Sequence, residues 1–152
     1  MNVRNIDKMK ISIAADHAGY DLKENIKKYL EKQGYTIIDL GTHSSGKSDY
    51  PDYAHPLAVS VEQKESDFGI SLCGSGNGIN MTVNKHQGIR SALCWNVEIA
   101  ELARRHNNAN VCALPARFIS EDLAFQIVDK FLSTSFDGGR HKVRIDKIPF
   151  KK

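Results

Sequence analysis

Cysteine is scarce and does not pair: Cys73, Cys94 and Cys112 are an odd number at irregular spacing, with no Cys-x-x-Cys among them. That excludes a disulfide framework and favours a reducing compartment, so the chain reads as cytoplasmic. Long apolar runs are missing too. The longest uncharged stretch, residues 68–84, is full of Gly, Ser and Asn and is not a membrane span, which needs about 20 mostly apolar residues. The first ten residues carry positive charge but no apolar segment follows them as a secretory leader requires. Six histidines show no His-x-x-x-His or comparable spacing, so no metal site is expected. An excess of one charge is also lacking: 21 basic against 18 acidic residues leave +3. That is too little to call for nucleic acid or an anionic membrane, although a small anion needs only a few well-placed cations.

What is present is an ordinary globular composition, 41% hydrophobic and 26% charged over 152 residues. The length suits one domain with a core of its own. We place that domain at residues 10–152, behind a tail at 1–9. Short apolar runs at 10–15, 35–40, 68–72, 89–94 and 110–114 read as strands. Amphipathic helical spacing separates them: Leu22, Ile26, Tyr29 and Leu30 before Gly34; Leu57, Ala58 and Val61 after Pro51 and Pro56; then residues 77–86 and 97–105. A last helix carries Leu123, Ile127, Val128, Phe131 and Leu132. Strands alternating with helices imply right-handed crossovers and a five-stranded parallel sheet in a three-layer α/β/α sandwich, Rossmann-like or flavodoxin-like. In the common strand order 2-1-3-4-5, the ligand crevice lies between strands 1 and 3 at their carboxyl ends.

Two turns open there. Strand 1 ends in Asp16-His17-Ala18-Gly19 and strand 3 in Cys73-Gly74-Ser75-Gly76-Asn77-Gly78. Three alternating glycines let amides approach an anion closely, whether a phosphate or a transient oxyanion. Ile79 breaks the dinucleotide fingerprint, and the Gly-Lys-Ser/Thr ending of a P-loop is missing. Beside oriented amides, Cys73 is placed either as a reactive thiolate or as an inert buried thiol, and position alone leaves both open. Cys94 and Cys112, in or beside strands, read as inert. His106 and Asn107 close a helix, where a histidine is commonly a capping cation and can equally shuttle protons. After Gly138-Gly139, a helix would set Arg140 and Arg144 one turn apart, as a phosphate clamp or as a solvated basic face.

The ordered set Ala15-Asp16-His17-Ala18-Gly19, Asp39-Leu40-Gly41-Thr42, residues 48–54 (SDYPDYA), residues 73–78 (CGSGNG), Arg105-His106-Asn107 and Gly138-Gly139-Arg140-His141 resembles the type B ribose-5-phosphate isomerase family, with its allose- and galactose-phosphate relatives. The resemblance covers about residues 10–148. It implies an aldose–ketose isomerase without metal or cofactor, acting on a phosphorylated sugar as a homodimer or dimer of dimers with shared sites. On that resemblance Cys73 is the base that moves a proton between C1 and C2. Ser75, where Thr is commoner, orients the thiol, and Gly74, Gly76, Asn77 and Gly78 lie along the backbone anion hole. His106 opens the sugar ring from the neighbouring subunit. Asp16, His17 and Asn107 hold hydroxyls, ring oxygen or phosphate, Arg140 and Arg144 bind phosphate, and Tyr50 lines the pocket. Asn77 stands where an apolar residue is frequent, which bears on sugar preference. The implied pair is ribose 5-phosphate and ribulose 5-phosphate. A six-carbon phosphosugar would use the same Cys73 and His106. A non-catalytic phosphate-binding module would have no need of the thiol, and a phospho-receiver domain would want an acidic cluster that Asp16 alone does not supply.

Overall fold

The computed structural model describes residues 9–151. Of the tail expected at 1–9, only Met9 falls within them, and it packs against the core. Five strands alternate with six helices: β1 (Lys10–Ala15), α1 (Tyr20–Lys32), β2 (Thr36–Asp39), α2 (Tyr50–Glu62), β3 (Phe68–Cys73), α3 (Asn77–Val83), β4 (Ser91–Leu93), α4 (Val97–Asn107), β5 (Val111–Pro115), α5 (Glu121–Ser133) and α6 (Arg140–Ile145). The helix expected over 77–86 stops at Val83. There Asn84 turns its side chain to both backbone groups of Ser91, accepting from the amide at 2.8 Å and donating to the carbonyl at 3.0 Å.

All strand pairs are parallel, and the order is β2-β1-β3-β5-β4. The first three positions match expectation; the last two are exchanged. Burial explains the exchange. Every residue of β3 and β5 is buried, as interior parallel strands require. β4 has three residues, all half-buried, and a short strand beginning with serine suits an edge.

The handedness of the crossovers then sorts the helices. Moves along the sheet in one direction carry α2 and α3, and moves in the other carry α1 and α4. Accordingly Ile26, Leu30, Ala100, Ala103, Ile127 and Phe131 share one apolar layer. Ala54, Leu57, Ala58, Ile79 and Val83 form the layer on the opposite face. Since β3 is followed by a helix on one face and both its neighbours by helices on the other, the chain opens a crevice at the carboxyl end of β3.

One ionic cluster fastens α1 to the carboxyl end of β2. The Lys23 side chain is fully buried, and its Nζ donates to both Asp39 oxygens and to Glu24 Oε1, each at 2.8 Å. Asp39 also accepts from Lys27 Nζ at 3.2 Å and from the Gly41 amide at 3.0 Å. Gly41 and Thr42 in turn bond the end of β1 through Ala15. Burial alone would raise the Asp39 carboxyl, but the Lys23 hydrogen bonds, the Gly41 amide and Lys27 outweigh it and hold the carboxyl below its ordinary value. A lowered carboxylate pKa stabilises the fold above the unfolded value and loses that contribution as pH falls through the folded one. Acid titration of the denaturation midpoint should therefore show a loss below about pH 4 that is absent in Asp39→Asn. At neutral pH that variant, which leaves Lys23 with Glu24 as its carboxylate partner, should be destabilised by about 3 kcal/mol.

Candidate active site

The turn after β1 is built by Asp16. Its buried carboxylate accepts from the Ala18 amide at 2.9 Å and the Gly19 amide at 3.2 Å, both through Oδ1. His17 is clamped to Ser48 on the loop entering α2. Its amide donates to Ser48 Oγ at 3.0 Å, and its ring Nδ1 lies 3.3 Å from the Ser48 amide and 3.2 Å from the Ser48 carbonyl. Nδ1 is thus occupied in either tautomer, which leaves Nε2 as the ring nitrogen for a ligand. Asp16, His17 and residues 48–52 line an open cleft of about 560 Å³. Ser48 was not anticipated as part of the site.

β3 delivers Cys73 to the same edge, 3% exposed. The turns after β1 and β3 touch, since a Cβ on Gly74 would lie 3.6 Å from Ala18 Cβ. Gly76 has φ +78°, and a Cβ there would sit 2.4 Å from Leu93 Cδ1. Only glycine fits. Tyr50, the first residue of α2, covers Gly78 so closely that a Cβ would meet its ring at 2.4 Å. The Ser75 hydroxyl accepts from the Asn77 amide at 3.3 Å; among the described residues no bond joins it to Cys73 Sγ. The Gly78 and Ile79 amides fall in the first turn of α3, where no carbonyl precedes them within the helix. Asp16, His17, Tyr50, Cys73, Gly74, Ser75, Gly76, Asn77 and Gly78 therefore share the carboxyl edge of the sheet.

Arg117 joins them unannounced. Its amide donates to the Gly74 carbonyl at 3.0 Å, and its side chain runs 3.4 Å from where a Gly74 Cβ would stand. It follows β5, which the strand order 2-1-3-4-5 keeps away from β3. The exchange of β4 and β5 is what brings this cation to the glycine turn.

His106, Asn107, Arg140 and Arg144 lie at the other end of the sheet. Cys73 pairs in register with Pro115, the last residue of β5. His106 precedes the first, leaving α4 near Asn110, whose backbone bonds Gly69 and Arg90. The length of β5 alone, about 13 Å by strand rise, separates the two groups. The His106 ring stacks on His141 with centroids 4.3 Å apart and planes 11° from parallel. The Asn107 carbonyl accepts from Arg90 Nε at 3.1 Å. Residues 140–145 are helical, so Arg140 and Arg144 stand one turn apart, both exposed. Partial desolvation, then the charges of His106, Arg140 and Arg144, hold the His141 imidazole below the ordinary histidine value against the pull of Asp137.

His106, Asp137 and His141 also bring ligand atoms within 4.8 Å of one another, a grouping the sequence spacing did not reveal. Asp137 is ion-paired to Arg105 at 3.2 Å, and with Arg140 and Arg144 alongside, the local field suits an anion better than a dication. Cys94 and Cys112 are fully buried. The contact with Cys94, then burial, pushes the Cys112 thiol well up, in keeping with an inert core role.

The chain is thus a doubly wound α/β protein that sets a buried thiol beside a glycine turn at its switch point. Residues 11–148 match the family model described as Ribose/Galactose Isomerase, and the chain belongs to that family. It is 42% identical over 139 residues to ribose-5-phosphate isomerase B of Escherichia coli K12, an alignment spanning 91% of this chain and 93% of that protein. The solved ribose 5-phosphate isomerase of Thermotoga maritima superposes with a TM-score of 0.92 at 53% identity, covering 93% of this chain and 98% of that one. Ribose-5-phosphate isomerase B of Mycoplasma genitalium, solved with bound ribulose-5-phosphate, gives 0.89 at 42% identity, covering 93% and 94%.

Gly76→Ala tests the turn. A left-handed residue with a Cβ costs about 1–2 kcal/mol, and the overlap with Leu93 adds to that. The expected result is a lowered melting temperature together with weakened binding of a phosphorylated sugar, measured by calorimetry.

Proposed function

We propose that this chain is an aldose–ketose isomerase interconverting ribose 5-phosphate and ribulose 5-phosphate through an enediolate. The observation that carries the reading is Cys73, set at the end of a fully buried strand beside the glycine turn, on the same sheet edge as a cleft with a free His17 nitrogen. Relatives named for this reaction, one solved with ribulose-5-phosphate, support it. Among the described residues no helix is long and apolar enough to cross a membrane.

The chemistry follows from the positions. As thiolate, Cys73 takes the proton from C2 of the open-chain aldose, and the electron pair moves into the C1–C2 bond while negative charge gathers on O1. Amides of the Gly74–Gly78 turn face that charge, and Arg117 reinforces them. Return of the proton to C1, with transfer of the O2 proton to O1, gives the ketose. Asp16, His17 and Tyr50 hold the sugar in register, and Ser75, with its oxygen engaged by Asn77, keeps a hydroxyl proton free to steady the thiol. The phosphate does not react; its binding energy aligns C1 and C2 with sulfur.

Ring opening requires His106, which one chain cannot bring to Cys73. We assign it, with Asn107, Arg140 and Arg144, to a second copy of the chain in a homodimer or dimer of dimers. Two complementary half-sites per chain close under two-fold symmetry into two whole sites. The exposed Met81, Trp95 and Phe118 support a partner surface.

Purified protein in EDTA should isomerise ribose 5-phosphate, and Cys73→Ala should lower kcat by about 10²–10⁴-fold or more. Near-normal turnover in that variant overturns the base assignment. His106→Ala should impair the cyclic sugar far more than a substrate already open. Mixing the two inactive variants under conditions of demonstrated subunit exchange should restore part of the activity. No recovery would place both residues in one chain's site, against the geometry above.

A further inference from the structure

We propose that His55 and His86 form a binding site for a divalent transition-metal ion of the zinc class, on the outer face of the α2–α3 layer. The two imidazoles come from different elements. His55 projects from the second turn of α2, and His86 lies in the turn from α3 to β4. His55 Nδ1 and His86 Nε2 are 2.7 Å apart, with ring centroids at 5.0 Å and planes inclined by 53°. Two ring nitrogens that close, with a single proton between them, make a pair of convergent ligand positions.

The second ring is oriented from behind. His86 Nδ1 donates to Glu62 Oε1 at 3.0 Å, and the other Glu62 oxygen accepts from the Gly88 amide at 2.9 Å. Both carboxylate oxygens are therefore fixed, one by the imidazole and one by the backbone. Gly88 permits the approach, because a Cβ there would stand 3.0 Å from Glu62 Cγ and Oε2. A carboxylate holding the far nitrogen of an imidazole fixes its tautomer and raises its basicity at the near one, as it does behind metal-bound histidines. Here it leaves the Nε2 lone pair of His86 aimed at His55.

Metal entry requires both rings to separate and to turn their nitrogens toward a common point. Zinc–nitrogen bonds of 2.0–2.1 Å at a tetrahedral angle need the two nitrogens about 3.3 Å apart, so the rings separate by roughly half an ångström. The bridging proton passes to His55 Nε2, which keeps that ring neutral and frees Nδ1 to bind. The half-buried His86 and exposed His55 leave the other two positions to water. The ion would then join α2, whose first residue Tyr50 covers the glycine turn, to the segment that follows α3.

Calorimetric titration of the full chain with zinc chloride, and separately with nickel chloride, tests this near neutral pH. One ion should bind per chain, and His55→Ala and His86→Ala should each remove that event. Glu62→Gln should weaken it about 10-fold or more. Saturating zinc should raise the wild-type melting temperature by about 5 °C and leave that of His55→Ala, which keeps the Glu62–His86 contact, unchanged. Binding that survives His86→Ala and disappears in His141→Ala would move the ion to the His106–Asp137–His141 cluster and overturn the proposal. So would the absence of any binding, which would reduce the pair to a hydrogen bond.

Discussion

The right-handed crossover is the constraint on which everything else in this molecule rests. It fixes the face on which each helix must lie once the strand order is set. With β3 in the middle, flanked by β1 and β5, the chain leaves β3 toward one face and both neighbours toward the other. The end of β3 is thus the place where backbone parts and a small molecule can reach main-chain amides. Cys73, the glycine turn, Asp16 and Arg117 meet there because topology sends their strands to the same edge, although they are distant in sequence.

The same topology divides the functional groups. A helix that follows a parallel strand must run back, so α4 carries His106 to the amino edge of the sheet while Cys73 stays at the carboxyl edge. The two ends differ in character. One offers a sulfur, turn amides and a clamped imidazole. The other gathers Arg105, Arg140, Arg144 and two stacked histidines, with partial desolvation and then the neighbouring charges holding His141 below its ordinary value. On the proposed reading, one edge moves the proton and the other holds the anion, so each chain needs a second copy to complete its site.

Much of this was legible from residue patterns. β1 and β3 read as continuous apolar runs because interior parallel strands are buried on both faces, and their turns stood out through Gly74, Gly76 and Gly78. The helix carrying Arg140 and Arg144 was visible as a condition attached to two glycines. What escaped was set by strand order and by contacts between distant segments. Periodicity does not say whether β4 or β5 neighbours β3, so Arg117 was missed. Nor does spacing show Ser48 under His17, the grouping of His106 with Asp137 and His141, or His86 resting on Glu62. The end of α3 was misjudged where the Asn84 side chain ties the chain to Ser91 just past the last helical bond.

The buried ammonium of Lys23 has a thermal corollary. Dehydrating ions becomes less unfavourable on warming, because their hydration carries a strongly negative entropy, while the attraction between Lys23 and Asp39 is held by fixed 2.8 Å contacts. The net contribution of this interior pair therefore grows as temperature rises. The joint between α1 and the end of β2 should hold better, relative to the apolar layers around it, in hotter surroundings.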